Sequence, residues 1–250
     1  MRNLTGQVAW ITGAGTGIGE SAALKLAEAG CVVVVSGRRP EPLESVVTRI
    51  QDAGGTASSE PLDVADKHRV TAVVDRILER HGRIDIGVFS AGINVTDLNW
   101  PVVSTDGWDD VINVNLNGAF YCCHAVVPGM RQRCEGLIIN ISSMAAKRVS
   151  ALTGPAYIAA KHGMNALTTS LLLEERNNGI RATAICPGEV ATPILDARPV
   201  LVSAEDKARI LQADDIGGLI LFVAQQPPHV TLNEILITPT YDRFSDHANL

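Results

Sequence analysis

Apolar residues follow two patterns along the chain. Some form short unbroken runs, and others recur every three or four positions. Cys31 to Ser36 is a β-branched run, as expected of a strand covered on both faces. Gln7 to Thr12, Thr56 to Leu62, Ile84 to Ser90, Gly136 to Ser142, Ile180 to Cys186 and Glu234 to Thr238 read as further strands. Between them, Glu20 to Ala29 places Ala22, Ala23, Leu26 and Ala27 on one helical face, and Gly30 stops it. Pro40 opens a helix that runs to about Ala53 and ends at Gly54-Gly55. Ala65 to His81 turns Val70, Val73, Val74, Ile77 and Leu78 inward and closes at Gly82. After a loop containing Trp100-Pro101, helices are predicted from about Asp106 to Arg133, Pro155 to Asn177 and Ala213 to Gln226.

This alternation implies right-handed βαβ units. The expected fold is α/β, a Rossmann-like, doubly wound, seven-stranded parallel sheet with helices on both faces. No interior linker, low-complexity tract or repeat divides the chain, so residues 1–250 are expected to form one domain.

Composition narrows the functional classes. The chain has 250 residues, 46% of them hydrophobic, and a net charge of −6. That apolar content excludes a disordered chain. A pI near 5.5 argues against a nucleic-acid partner, which needs a basic face. Met1 to Gly6 lacks a charged-then-apolar leader, and no apolar run approaches the ~20 residues of a membrane span. A cytoplasmic protein with no membrane partner is the expectation. The five cysteines include no C-x-x-C spacing and no zinc-ligand pattern with histidine. They read as buried reduced thiols, and no metal is expected. His68, His81, His162, His229 and His247 read as surface residues, and His124 as a helix residue near the core.

The first strand runs directly into Thr12-Gly13-Ala14-Gly15-Thr16-Gly17-Ile18-Gly19, which leads directly into a helix. A parallel α/β fold binds dinucleotides there. Glycine lets the backbone turn tightly and lets pyrophosphate approach the amides, and the helix N-terminus adds partial positive charge. The T-G-x-x-x-G-x-G spacing resembles the short-chain dehydrogenase/reductase family.

Other residues extend the resemblance. Tyr157 and Lys161, four residues apart in a predicted helix, share a face. Alone, they also fit an ordinary exposed helix pair. Ser143 stands fourteen residues before Tyr157, at the end of the fifth strand. Asn115 lies on the long helix. Together Asn115, Ser143, Tyr157 and Lys161 match the family's catalytic tetrad. Asp63-Val64 resembles its adenine-contacting Asp, and Ser90-Ala91-Gly92 its N-A-G turn. Pro187-Gly188-Glu189-Val190-Ala191-Thr192 resembles its P-G motif, whose Thr bonds the nicotinamide carboxamide. The likeness covers about residues 6 to 240. Phe89-Ser90 departs from the family's residues before Ala-Gly, and the Ser143–Tyr157 stretch is about one residue longer than is common.

The resemblance implies hydride transfer between a nicotinamide cofactor and a carbonyl or secondary alcohol, as in a ketone reductase, an alcohol dehydrogenase or a 3-oxoacyl reductase. Tyr157 is then the acid in reduction and the base in oxidation. Lys161 lowers the pKa of the phenol and holds the nicotinamide ribose. Ser143 donates to the substrate oxygen, and Asn115 holds a water linking Lys161 to solvent. The implied nucleotide-binding residues are Gly13, Thr16, Gly17, Ile18, Gly19, Asp63, Val64, Ala91, Gly92, Tyr157, Lys161, Pro187, Gly188, Val190 and Thr192. The family's pairing helices suggest a homotetramer or homodimer. The competing reading is a non-catalytic NAD(P)-binding regulator, against which the intact tetrad speaks.

Cofactor choice is read from the second strand's end, Ser36-Gly37-Arg38-Arg39. An NAD enzyme commonly places an acid near here, and none occurs before Glu41. Arg38 and Arg39 offer planar forks suited to a 2′-phosphate. NADP(H) is favoured over NAD(H), with Arg38 the better placed.

By the resemblance, Ile93, Asn94, Ala145, Leu152, Gly188, Glu189, Ile194 and Leu195 line the substrate pocket, which is mostly apolar. Glu189 either faces a polar or cationic substrate group or is a solvent-facing loop acid. Lys147-Arg148 either attracts an acidic carrier or is a solvated loop. Only about twenty residues separate Thr192 from the last helix, so a short lid over an open site is expected.

Overall fold

The computed structural model describes residues 1–198 and 201–241. His247 lies outside the described residues. In chain order the elements are β1 (Val8–Thr12), α1 (Gly17–Glu28), β2 (Val32–Ser36), α2 (Pro40–Asp52), β3 (Thr56–Ser59) and α3 (Lys67–His81). Next come β4 (Ile86–Phe89), α4 (Thr105–Ile112), α5 (Gly118–Arg133), β5 (Gly136–Ile141), α6 (Gly154–Glu175) and β6 (Ile180–Pro187). The chain continues with β7 (Val190–Ala191), α7 (Ala204–Arg209), β8 (Leu211–Gln212), α8 (Ala213–Ala224) and β9 (Glu234–Ile237).

Seven strands form one sheet in the order β3-β2-β1-β4-β5-β6-β9, with every pairing parallel. The predicted Rossmann-like fold is observed. Side-chain alternation along buried strands builds a core on each face. Ala9, Ile11, Val33 and Val35 pack with Leu26 of α1, Leu43 and Ile50 of α2, and Ile216 and Ile220 of α8. Trp10 and Val34 point the other way, against Val73 and Ile77 of α3 and Val126 and Met130 of α5. The order reverses direction at β1, whose neighbours are β2 and β4. The crevice beyond their carboxyl ends is where such sheets bind ligands.

Several local expectations change. The helix expected over Asp106–Arg133 is interrupted: α4 and α5 are separated by a π-helical turn, Asn113–Asn117. Such turns widen the helix by one residue and are frequent at functional sites. The third strand ends at Ser59 rather than Leu62, while the first helix begins at Gly17 rather than Glu20. The stretch after Thr192 carries structure of its own. It has a 3-10 turn (Pro193–Ala197), α7 and β8, and β8 pairs back with β7, which lies just before Thr192. Leu195, Val202 and Ile210 bury one another there.

Two side-chain expectations are overturned. Cys31, Cys122, Cys123 and Cys186 are buried free thiols, but Cys134 is exposed. It sits at the end of α5 with φ 52°, a left-handed conformation that turns it out of the core. His124 is exposed and stacks on Phe120 at 5.6 Å, because its α5 neighbours Cys122 and Cys123 occupy the inward face.

Candidate active site

A cavity of about 470 Å³ opens over the carboxyl ends of β1, β2, β4, β5 and β6. Gly13, Thr16, Gly17, Ile18, Arg38, Arg39, Asp63, Val64, Ala91, Gly92, Pro187, Gly188, Val190 and Thr192 all line it, as do Ser143, Tyr157 and Lys161. Gly19 and Asn115 stand behind the wall. Of the expected substrate residues, Ala145 is outside the lining. Arg198, which no sequence pattern singles out, is part of it.

The glycine turn is required sterically. Gly13 has φ +66°, and a Cβ there would lie 2.7 Å from the Ala91 nitrogen. A Cβ on Gly19 would lie 2.4 Å from the Gly13 carbonyl oxygen. The loop is thereby drawn against the helix start, where Gly13, Gly15, Thr16, Gly17 and Ile18 line the cavity. That cradle suits a pyrophosphate. Asp63, whose Oδ1 accepts from the Ala65 amide at 3.0 Å, forms the wall beyond β3. The exposed Arg38 and Arg39 stand between β2 and α2. These donors, acceptors and close backbone approaches fit a nicotinamide dinucleotide.

Tyr157 and Lys161 project from successive turns of α6. The Lys161 ammonium donates to the Ile141 carbonyl oxygen at 2.8 Å. Burial lowers the Lys161 pKa to about 8. Burial also raises the phenol of Tyr157 above its usual 10, opposed by a hydrogen bond from Ser143 and by the positive charge of Arg198. The net direction is therefore the reverse of the expected lowering by Lys161, and the charge that opposes burial is that of Arg198. Desolvation disfavours both charged forms, and the lysine proton is directed at a backbone carbonyl. Ser143 stands two residues beyond β5, at the start of a 3-10 turn, and its Oγ accepts from the Ala145 amide at 3.1 Å.

Asn115 is fully buried in the π-turn. Its Oδ1 accepts from the Ile93 amide at 2.8 Å and its Nδ2 donates to the Ile93 carbonyl at 2.9 Å. It thus pins the loop that leaves Gly92. A Cβ on Gly92 would lie 3.3 Å from Asn115 Oδ1 and 3.8 Å from Lys161 Nζ, so the three converge.

The remaining expected contacts divide. Ile93, Asn94, Leu152, Glu189, Ile194 and Leu195 line the cavity. Glu189 is partly buried and ion-paired to Arg198 rather than solvent-facing. Lys147 is exposed and salt-bridged to Glu234, and neither Lys147 nor Arg148 lines the cavity. Among the described residues, no group of three or more His, Cys, Asp or Glu is placed to hold a metal, and no helix is long and apolar enough to cross a membrane.

The chain resembles many known proteins. The family model for short chain dehydrogenase matches residues 7–199. An uncharacterized oxidoreductase of Staphylococcus saprophyticus is 36% identical over 96% of this chain and 100% of its own length. Glycine betaine reductase of Emericella nidulans is 35% identical over 94% of this chain, which spans only 19% of that relative's length. The crystal structure of a metagenomic short-chain oxidoreductase in complex with NADP superposes with a TM-score of 0.83 at 34% identity, covering 96% of this chain and 100% of that one. The chain belongs to the short-chain dehydrogenase family of oxidoreductases.

Proposed function

We propose that this protein is an NADP(H)-dependent carbonyl reductase or alcohol dehydrogenase in which Asn115, Ser143, Tyr157 and Lys161 form the catalytic set. The observation that carries the reading is the meeting of Ser143, Tyr157 and Lys161 on one cavity with the glycine turn and the Arg38–Arg39 pair. The family binds NAD(P), and when bound the nicotinamide supplies the hydride.

The chain's own groups supply the rest. The phenol of Tyr157, held protonated at neutral pH by burial, gives its proton to the carbonyl oxygen. A phenol in that state suits reduction, which consumes a proton. Ser143 donates to the same oxygen, where negative charge develops. Lys161 places an ammonium beside the ring and faces the nucleotide side of the cavity. Asn115 fixes the backbone at Ile93 against which the nucleotide and substrate meet. Residues 1–250 act as one catalytic domain in this reading, with a homodimer or homotetramer as its assembly.

NADP is favoured because two guanidinium groups and no acid stand at the end of β2. NADPH and NADH oxidation against a panel of ketones, diketones and acyl thioesters tests the reading. NADPH consumption well above that of NADH is expected. No oxidation of either with any member would favour a non-catalytic nucleotide-binding regulator.

A further inference from the structure

The cavity contains a charged pair for which this chemistry has no use. Glu189 and Arg198 form an ion pair, with side chains 12% and 19% exposed. Glu189 follows the Pro187-Gly188 turn. Arg198 closes the 3-10 turn nine residues later. Both line the same cavity as Ser143 and Tyr157, and the charge of Arg198 reaches the phenol. Leu152, Ile194 and Leu195 make the surrounding wall apolar. Asn94 turns its amide to the backbone: Nδ2 donates to the Thr153 carbonyl at 3.1 Å, and Oδ1 accepts from the Val95 amide at 3.0 Å.

A partly buried ion pair is costly to strip of water unless new hydrogen bonds replace it. A hydrocarbon ketone would strip it and return nothing. A substrate carboxylate would gain Arg198 but meet Glu189, and a substrate ammonium would meet the reverse. A neutral hydroxyl suits both members, because it donates to the carboxylate and accepts from the guanidinium. Each member has capacity for more than one partner.

Resting on the carbonyl-reductase reading, we propose that the Glu189–Arg198 pair selects neutral substrates bearing a hydroxyl within a carbon or two of the carbonyl. These are hydroxy ketones in reduction and diols in oxidation. The hydride goes to the carbonyl carbon, the Tyr157 proton goes to the carbonyl oxygen, and the recognised hydroxyl is unchanged. Arg198 and Glu189 are specificity-determining residues, distinct from the groups that move the proton.

The test sets acetoin, the hydroxy ketone of four carbons, against butanone, its counterpart without the hydroxyl, each with NADPH. The native enzyme should prefer acetoin by about 100-fold in kcat/KM, chiefly through a lower Michaelis constant, as expected of a site built around a hydroxyl. The Glu189→Leu/Arg198→Leu double variant should lose or invert that preference. The single variant Glu189→Gln, the milder change to packing, should gain at least about tenfold in kcat/KM on the anionic keto acid 2-oxobutanoate. NADPH binding monitors the fold in each variant. If the double variant fails to fold, the single variant decides. Comparable turnover of both ketones by the native enzyme, or no gain on 2-oxobutanoate in Glu189→Gln, overturns the proposal and leaves the reductase reading standing. No turnover of these probes by a native enzyme that reduces other ketones of the panel overturns the proposal alone, whereas no turnover across the whole panel removes the reductase reading with it.

Discussion

The Lys161 ammonium lies 5.5 Å from the centre of the Tyr157 ring, one helical turn further along α6. Lys161 is buried and Tyr157 half-buried, and desolvation acts on the two in opposite directions. It pulls the lysine pKa down to about 8 and pushes the phenol up. The folded chain therefore bears a cost for keeping a charged lysine at this position.

That cost predicts a pH-dependent stability. Below pH 8, Lys161 is charged in both the folded and the unfolded chain, and the full burial penalty applies. Between about pH 8 and 10.5, the unfolded chain keeps a proton that the folded chain has released, so stability from this group rises with pH. The difference corresponds to about 3 kcal/mol. Lys161→Met should be inactive yet less penalised at neutral pH than the native chain. Its stability relative to the native protein should fall as pH rises through that window. Denaturant melts at pH 7 and pH 9.5, without nucleotide, check this. A gap independent of pH would contradict it.

Cofactor choice rests on the end of β2. Replacing Arg38 by Glu sets a negative charge against a 2′-phosphate and removes a planar donor fork. We expect the Michaelis constant for NADPH to rise about 10- to 100-fold, the scale of a lost charge-assisted hydrogen bond, while that for NADH changes little. Steady-state kinetics with both nucleotides measure it. An unchanged NADPH constant would remove Arg38 from the binding site.

Two glycines make a controlled pair. Gly13→Ala forces a side chain into φ +66° and against the Ala91 backbone at 2.7 Å. It should destabilise the fold by roughly 2 kcal/mol or more and weaken nucleotide binding. Gly218, inside α8, has no atom within 4 Å of a new Cβ. Gly218→Ala should stabilise by about 0.5–1 kcal/mol through helix propensity alone. Thermal unfolding of both variants decides, and equal effects would contradict the steric account of the turn.

The parts of this molecule that were legible in the sequence are those set by local chemistry. The β2 run is β-branched because both its faces are covered, and the α3 stripe at Val70, Val73, Val74 and Ile77 is buried at those positions. Tyr157 and Lys161 needed only helical phase to be placed together. The π-turn was not legible, because Asn113–Asn117 is compatible with ordinary helix; only the bonds from Asn115 to Ile93, 22 residues away in sequence, show why it widens. The Glu189–Arg198 pair was hidden for a related reason. Its members flank a loop and carry no periodicity, and the loop's path is set by Leu195 packing on Val202 and Ile210. The exposure of Cys134 and His124 followed from a left-handed helix end and from the phase of α5, neither of which composition reveals.

The most direct test of the central claim sets native enzyme beside Tyr157→Phe, with NADPH and the best ketone of the panel. The variant keeps the ring and loses the hydroxyl that carries the proton. Turnover should fall by ~10²–10⁴-fold, the usual contribution of a positioned acid, while NADPH affinity stays within about twofold. Undiminished turnover in Tyr157→Phe would contradict the account, because the proton would then come from elsewhere.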